Sequence, residues 1–107
     1  MTWHLVIPAE DLWDEELTGV QLGATKVVLL KVAGTIRAFE DRCPHLGGQL
    51  SEGTLDGCTL TCANHLWEFD ALTGKGTNPG HCQLTAFATR VKDGQIEILV
   101  PAGRSEN

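Results

Sequence analysis

Short hydrophobic runs separated by glycine-containing turns make up most of the chain. Residues 26–32 are mostly apolar and rich in β-branched side chains, a composition typical of a buried strand. Many short strands of this kind indicate an all-β fold in which antiparallel strands form a sandwich or barrel. The predicted strands cover residues 3–7, 20–22, 26–32, 35–39, 67–70, 84–91 and 95–100, with a tight hairpin over residues 54–61.

Turns and loops are expected where glycine, proline and acidic residues interrupt these runs. Pro8 and the acidic residues after it predict a helical turn over residues 9–16, because acidic side chains suit a helix N-terminus. Residues 76–80 predict a loop. The dipeptides predicted to turn one strand back on the next are Ala33-Gly34, Asp56-Gly57 and Asp93-Gly94.

Length and charge narrow the class of protein. The 107 residues are enough for one small domain, so we expect a single domain over residues 1–107. With 14 acidic against 8 basic residues, the net charge of −6 argues against nucleic-acid binding. It suits a carrier that docks on basic partners, although negative charge also keeps a small domain soluble. Neither a signal peptide nor an apolar membrane span is evident, and the cytoplasm is the predicted location.

The candidate chemistry lies in two pairs of cysteine and histidine. One residue separates Cys43 from His45, two separate Cys62 from His65, and 16 residues lie between the pairs. In a reducing compartment such residues are metal ligands rather than disulfide partners. Two cysteines on one iron and two histidines on the other are the ligand set of a Rieske [2Fe–2S] cluster, which this pattern indicates. Zinc also binds two cysteines and two histidines, but zinc modules usually pair like with like along the chain.

The histidine pair has an electrostatic consequence. Two thiolates cancel the charge of the oxidised core, whereas four would leave it negative, and a neutral centre accepts an electron more easily. Rieske clusters accordingly have potentials of roughly −150 to +300 mV, against about −400 mV for plant-type clusters with four cysteines. Gly47 and Gly48 let the backbone bend, so that N–H groups can approach the cluster sulfurs.

The two motifs, C-P-H-L-G-G at residues 43–48 and C-A-N-H-L-W at residues 62–67, resemble the Rieske signature. The whole chain resembles small Rieske ferredoxins of bacterial oxygenases. Within that group it is most similar to the ferredoxin component of multicomponent diiron aromatic or alkene monooxygenases of the toluene 4-monooxygenase type. The features that suggest this subgroup include L-S-E-G at residues 50–53 and Asn78-Pro79 followed by Cys82.

The resemblance implies an antiparallel Rieske-type β fold with a cluster-binding loop region at about residues 43–80. It implies that Cys43 and Cys62 bind one iron and that His45 and His65 bind the other. A third, proline-containing loop covers the cluster in the family, and residues 76–80, which include Pro79, are the candidate here.

The function implied by the resemblance is one-electron transfer. The chain would take electrons from an NADH-dependent flavin reductase and pass them to the hydroxylase component of an oxygenase, without being an enzyme itself. A Rieske oxygenase also needs a mononuclear iron held by two histidines and a carboxylate. Beyond the two ligand motifs only His4 and His81 remain, and the chain is too short for a substrate domain as well.

Departures from the respiratory Rieske proteins predict a low potential. Those proteins have a disulfide at the positions of Gly48 and Asn64, and hydrogen-bond donors at the positions of Trp67 and Phe69. Fewer donors to the cluster stabilise the reduced state less, so we expect a midpoint at the low end of the Rieske range. Trp67 is interpreted either as a cover over the cluster or as plain core packing.

Three alternatives stay open from the sequence. They are the ferredoxin of a ring-hydroxylating dioxygenase, the small Rieske subunit of a nitrite reductase, and a zinc-binding module. The ferredoxins of ring-hydroxylating dioxygenases usually have threonine where this chain has Pro44. Cys58 and Cys82 are expected to be small buried residues or free thiols.

Overall fold

The computed structural model describes residues 2–42, 49–62, 67–78 and 83–100. Across these ranges the chain forms ten strands in two antiparallel sheets. The helical elements of the same ranges are two 3-10 turns, Ala9–Asp11 and Leu50–Glu52. In this part of the chain no helix is long and apolar enough to cross a membrane.

The larger sheet has six strands in the spatial order β1-β10-β9-β4-β3-β2. These strands are β1 (Thr2–Pro8), β2 (Glu16–Leu22), β3 (Thr25–Val32), β4 (Thr35–Glu40), β9 (Ala86–Lys92) and β10 (Gln95–Val100). The smaller sheet has four strands in sequence order, β5 (Thr54–Asp56), β6 (Thr59–Thr61), β7 (Glu68–Asp70) and β8 (Gly76–Asn78). The all-β, antiparallel prediction is confirmed.

Two of the predicted turns are confirmed in position and backbone conformation. Ala33 and Gly34 have φ values of 49° and 81°, and Asp93 and Gly94 have values of 53° and 78°. Both turns have two residues with positive φ, as the right-handed twist of a hairpin favours. The third is one residue later than predicted, because Asp56 pairs with Thr59 and leaves the reversal to residues 57–58.

Three predicted segments differ from the structure. The helical turn predicted over residues 9–16 is confined to Ala9–Asp11, because Leu12 enters the core immediately afterwards. β2 begins at Glu16 instead of residue 20, since its whole length pairs with β3. Residues 76–78, predicted as loop, form β8 through pairing with β7. Residues 79–80 of that predicted loop lie outside the described residues.

The core has two parts, one on each face of β3. Val28 and Leu30 pack against residues of the smaller sheet, including Leu60 and Phe69. Val27 and Leu29 face the other way, toward a cluster that β4, β9 and β10 complete. Because both faces of β3 are covered, its sequence is a nearly continuous apolar run. The smaller sheet is thus packed on one face of the larger one.

Candidate metal centre

Cys62 lies at the end of the β6–β7 hairpin. The last paired residues of the two strands are Thr61 and Glu68, and the Cys62 N–H donates to the Trp67 carbonyl oxygen at 2.8 Å. Residues 63–66, which include His65, are the connection between these two positions. The hairpin therefore places Cys62 and Trp67, which flank the segment that contains His65, at one end of the smaller sheet.

The side chain of Cys62 is completely buried and forms no disulfide. It belongs to the core cluster that contains Leu50, Leu60 and Phe69. A buried thiol is shielded from water and oxidants, and apolar neighbours limit the access of solvent to a metal site. The donor type and the surroundings of Cys62 both fit the predicted cluster.

Cys58 offers a contrast at the opposite end of β6. It is exposed at the turn between β5 and β6 and is also a free thiol. Of the two alternatives predicted for it, a small buried residue or a free thiol, the structure shows the free thiol, because the hairpin reverses at this residue. Cys82 lies outside the described residues.

The first ligand segment, residues 43–48, lies between Asp41 and Ser51. The Asp41 N–H donates to the Lys26 carbonyl oxygen at 2.9 Å, which extends the pairing of β4 with β3. The carboxylate of Asp41 accepts the Ser51 N–H at 2.8 Å and the Ser51 hydroxyl at 2.6 Å. The two ends of the segment are thereby held together.

The return path from the first segment is in close contact with β6, the strand that precedes Cys62. A Cβ atom placed on Gly53 would clash with the carbonyl oxygen of Thr61. Only a glycine leaves room for this approach of two backbones. Leu50, earlier on the same path, packs in the core cluster with Cys62. The flanks of the two ligand segments are therefore neighbours.

A third segment starts from the same end of the smaller sheet. Asn78, the last residue of β8, pairs with Glu68, next to Trp67. The chain returns at Gln83, which pairs with Lys75 and donates its side-chain amide to the Thr73 carbonyl oxygen at 2.9 Å. Residues 79–82 connect these two points and contain Pro79. The third segment thus starts at the end of the smaller sheet where Cys62 lies and returns at the opposite end, beside Lys75 and Asp70.

Cys62 and Trp67 are the predicted site residues that the structure describes. Trp67 is half-buried and packs against the core cluster of Cys62, which agrees with a packing role and leaves the covering role a prediction. The remaining predicted site residues lie outside the described residues: Cys43, His45, Gly47, Gly48, His65 and Pro79.

Sequence reasoning missed the polar pair at the base of the first segment. Asp41 and Ser51 stand just outside the motif, and this position is a signal that could have drawn attention to them. Their pairing depends on where the backbone turns after residue 48, which the sequence pattern does not specify. The close packing of Gly19 behind this pair was missed for the same reason.

Comparison with known proteins agrees with this geometry. The family model described as the Rieske [2Fe-2S] domain matches residues 2–88. The ferredoxin component of the alkene monooxygenase system of Xanthobacter autotrophicus is 37% identical over 95 residues, which cover 87% of this chain and 77% of that protein. Ferredoxin CarAc of Metapseudomonas resinovorans is 33% identical over 98 residues, covering 90% of this chain and 92% of that protein.

A solved structure is similar over almost the same extent. It is a chain of the complex of reduced oxygenase and oxidized ferredoxin in carbazole 1,9a-dioxygenase, with a TM-score of 0.82 and 33% sequence identity. The similarity covers 90% of this chain and 91% of that chain. The chain therefore belongs to the Rieske [2Fe–2S] domain family, and it is an electron-transfer protein that carries a Rieske [2Fe–2S] cluster.

Proposed function

We propose that Cys43 and Cys62 hold one iron of the cluster and that His45 and His65 hold the other. The observation that carries this assignment is the complete burial of the Cys62 thiol, which forms no disulfide, beside the flanks of the two ligand segments. Thiolate and imidazole are the donor types that such a cluster uses. We also propose that residues 43–80 are the cluster-binding region of a single domain.

The surroundings of Cys62 define what the protein contributes to this chemistry. When bound, the cluster supplies a site that gains and loses one electron. The side chains of Leu60 and Phe69 keep water from the cysteine side of the site. Their apolar surface provides no hydrogen-bond donor, so it stabilises the extra negative charge of the reduced state only weakly. This supports the expected midpoint at the low end of the Rieske range.

We infer that the electron acceptor is the hydroxylase component of a multicomponent diiron oxygenase. The support is the relative named as the ferredoxin component of an alkene monooxygenase, similar over most of both chains. The electron donor in this proposal is an NADH-dependent flavin reductase. In this proposal the protein works in the cytoplasm, and the exposed thiol of Cys58 suits such a reducing compartment.

A second candidate acceptor is the terminal oxygenase of a ring-hydroxylating dioxygenase. The observation that favours it is the similarity to ferredoxin CarAc and to the complex of oxygenase and ferredoxin of a carbazole dioxygenase. Both candidates share one role for this chain, which is electron delivery to an oxygenase. They differ in the metal centre that receives the electron.

Stopped-flow mixing separates the two. The chemically reduced protein is mixed with a diiron hydroxylase and, separately, with a Rieske dioxygenase oxygenase component, and the visible spectrum of the cluster is followed. We expect fast reoxidation by the diiron hydroxylase and slow reoxidation by the other. Fast reoxidation by the dioxygenase component alone would establish the second candidate. Reoxidation by a nitrite reductase and by neither oxygenase would contradict both.

A further inference from the structure

One carboxylate joins the two ends of the first ligand segment. Asp41 follows β4 directly and lies two residues before Cys43, and Ser51 lies three residues after Gly48. The two oxygens of Asp41 accept the N–H and the hydroxyl of Ser51, at 2.8 and 2.6 Å. Hydrogen bonds to a carboxylate are stronger than those between neutral groups. We refer to Asp41 and Ser51 as the clamp.

The burial of Asp41 indicates that its carboxylate fixes the direction of the chain at the two ends of the ligand segment. Asp41 is only 4% exposed, and a carboxylate is costly to remove from water unless its oxygens are well bonded. Both described bonds go to a single residue across the base of the ligand segment. An apolar pair at these two positions would fill the space without that cost, but it would not fix the direction of either chain end.

The clamp is held against the larger sheet. The Asp41 N–H is bonded to Lys26 in β3, and Gly19 in β2 lies directly behind the clamp. A Cβ atom on Gly19 would lie 2.8 Å from the Ser51 hydroxyl oxygen and 3.2 Å from Oδ2 of Asp41. β2 therefore approaches the clamp as closely as a glycine permits.

The clamp is also linked to the second ligand segment. Ser51 lies in the 3-10 turn Leu50–Glu52, and Leu50 packs in the core cluster of Cys62. The turn ends at Gly53, which presses against the carbonyl of Thr61, the residue before Cys62. A short, tightly packed path thus runs from Asp41 to Cys62.

We propose that Asp41 and Ser51 are positioning residues for the cluster. They keep Cys43 and His45 at a fixed separation from Cys62 and His65, so that all four ligands stay bound and the histidines keep one orientation. This inference rests on the ligand assignment proposed above. It predicts that weakening the clamp accelerates loss of the cluster and alters its electronic structure, while the sheets stay folded.

The variants Ser51→Ala and Asp41→Asn test this. The first removes the hydroxyl bond and leaves the N–H bond, and the second removes one carboxylate oxygen. Iron release to a chelator is followed by the decay of the visible spectrum, and the reduced cluster by EPR. We expect release about three- to tenfold faster, as the loss of one hydrogen bond would give. We also expect a broadened EPR spectrum, with far-ultraviolet circular dichroism unchanged.

Asp70→Asn is the matched control. Its carboxylate accepts the Leu72 N–H at 2.8 Å, and it lies at the end of β7 remote from Cys62. Its iron release and EPR spectrum should equal those of the unmodified protein. Unchanged release and EPR in Ser51→Ala, or equal changes in Asp70→Asn, would overturn the proposal. Should Asp41→Asn not fold, Ser51→Ala decides alone.

The result also separates this proposal from the ligand assignment. If the unmodified protein contains a [2Fe–2S] cluster with two nitrogen ligands and the clamp variants behave like it, only the role of the clamp is refuted. If the unmodified protein lacks such a cluster, the ligand assignment itself is refuted, and the role of the clamp falls with it.

Discussion

Cys58 and Cys62 flank the three residues of β6, and their surroundings are opposite. Cys62 is buried beside the core of the smaller sheet, and Cys58 is exposed at a turn. Burial limits the access of solvent to a thiolate ligand, and the ligand must also lie where a second ligand can reach the same iron. At the residue scale, position along one short strand thus separates the proposed ligand Cys62 from the exposed thiol of Cys58.

Replacement of each cysteine by alanine tests this distinction. Cys62→Ala should lose the cluster, because one iron loses half of its protein ligands, whereas Cys58→Ala should keep it in full. Iron and acid-labile sulfide per chain are the measurement, with the visible spectrum as a check. A full complement of iron and sulfide in Cys62→Ala would refute its role as a ligand.

Phe69 carries the prediction about potential. It is 1% exposed and lies in the core cluster of Cys62, and its side chain has no hydrogen-bond donor. Phe69→Tyr adds a hydroxyl that can bond to a cluster sulfur or ligand and stabilise the reduced state. One such bond, worth about 1–1.5 kcal/mol, raises the midpoint by about 40–60 mV for a one-electron couple. Redox titration is the measurement.

Phe39→Tyr is its control. Phe39 is equally buried in the same core cluster but lies on β4 of the larger sheet. Its added hydroxyl should lower stability and leave the midpoint where it is. Equal midpoint changes in the two variants would show that the cluster does not sense residue 69 specifically.

At the scale of elements, the tight turns at residues 33–34 and 93–94 connect paired strands of the larger sheet. Ala33 has a φ of 49°, a conformation that costs residues with a Cβ roughly 1–2 kcal/mol and that asparagine tolerates better. We expect Ala33→Asn to raise the melting temperature by about 2–5 °C. Asp93→Asn, in the equivalent turn, replaces a residue that already tolerates positive φ, so it should change the melting temperature little. Calorimetry at matched cluster content checks both, and a lower melting temperature in Ala33→Asn would contradict the account.

The same elements show what the sequence could predict. β3 could be predicted because both of its faces are covered, which requires a continuous apolar run. β8, Gly76–Asn78, could not, because backbone pairing with β7 creates it and its side chains follow no hydrophobic pattern. The ligand types of the site follow from local motifs. The pairing of Asp41 with Ser51 does not, since it joins residues ten positions apart across the path of the chain.

At the scale of the whole molecule, net charge is the property most relevant to partners. A charge of −6 favours approach to an acceptor with a basic docking surface, and salt screens this attraction. The second-order rate constant for reoxidation by the hydroxylase should therefore fall several-fold when ionic strength rises from about 0.01 to 0.15 M. Stopped-flow absorbance is the measurement, and a small neutral oxidant, whose rate should not change, is the control. A rate that is constant or rises with salt would rule out electrostatic steering.

The central claim is that two cysteines and two histidines of this chain hold a [2Fe–2S] cluster. Pulsed EPR of the reduced protein tests it most directly, because magnetic coupling to nitrogen reports histidine bound to iron. We predict coupling to two nitrogen ligands on one iron, in a protein with two irons and two sulfides per chain. A reduced cluster without nitrogen coupling, or a colourless protein that contains zinc, would contradict the claim.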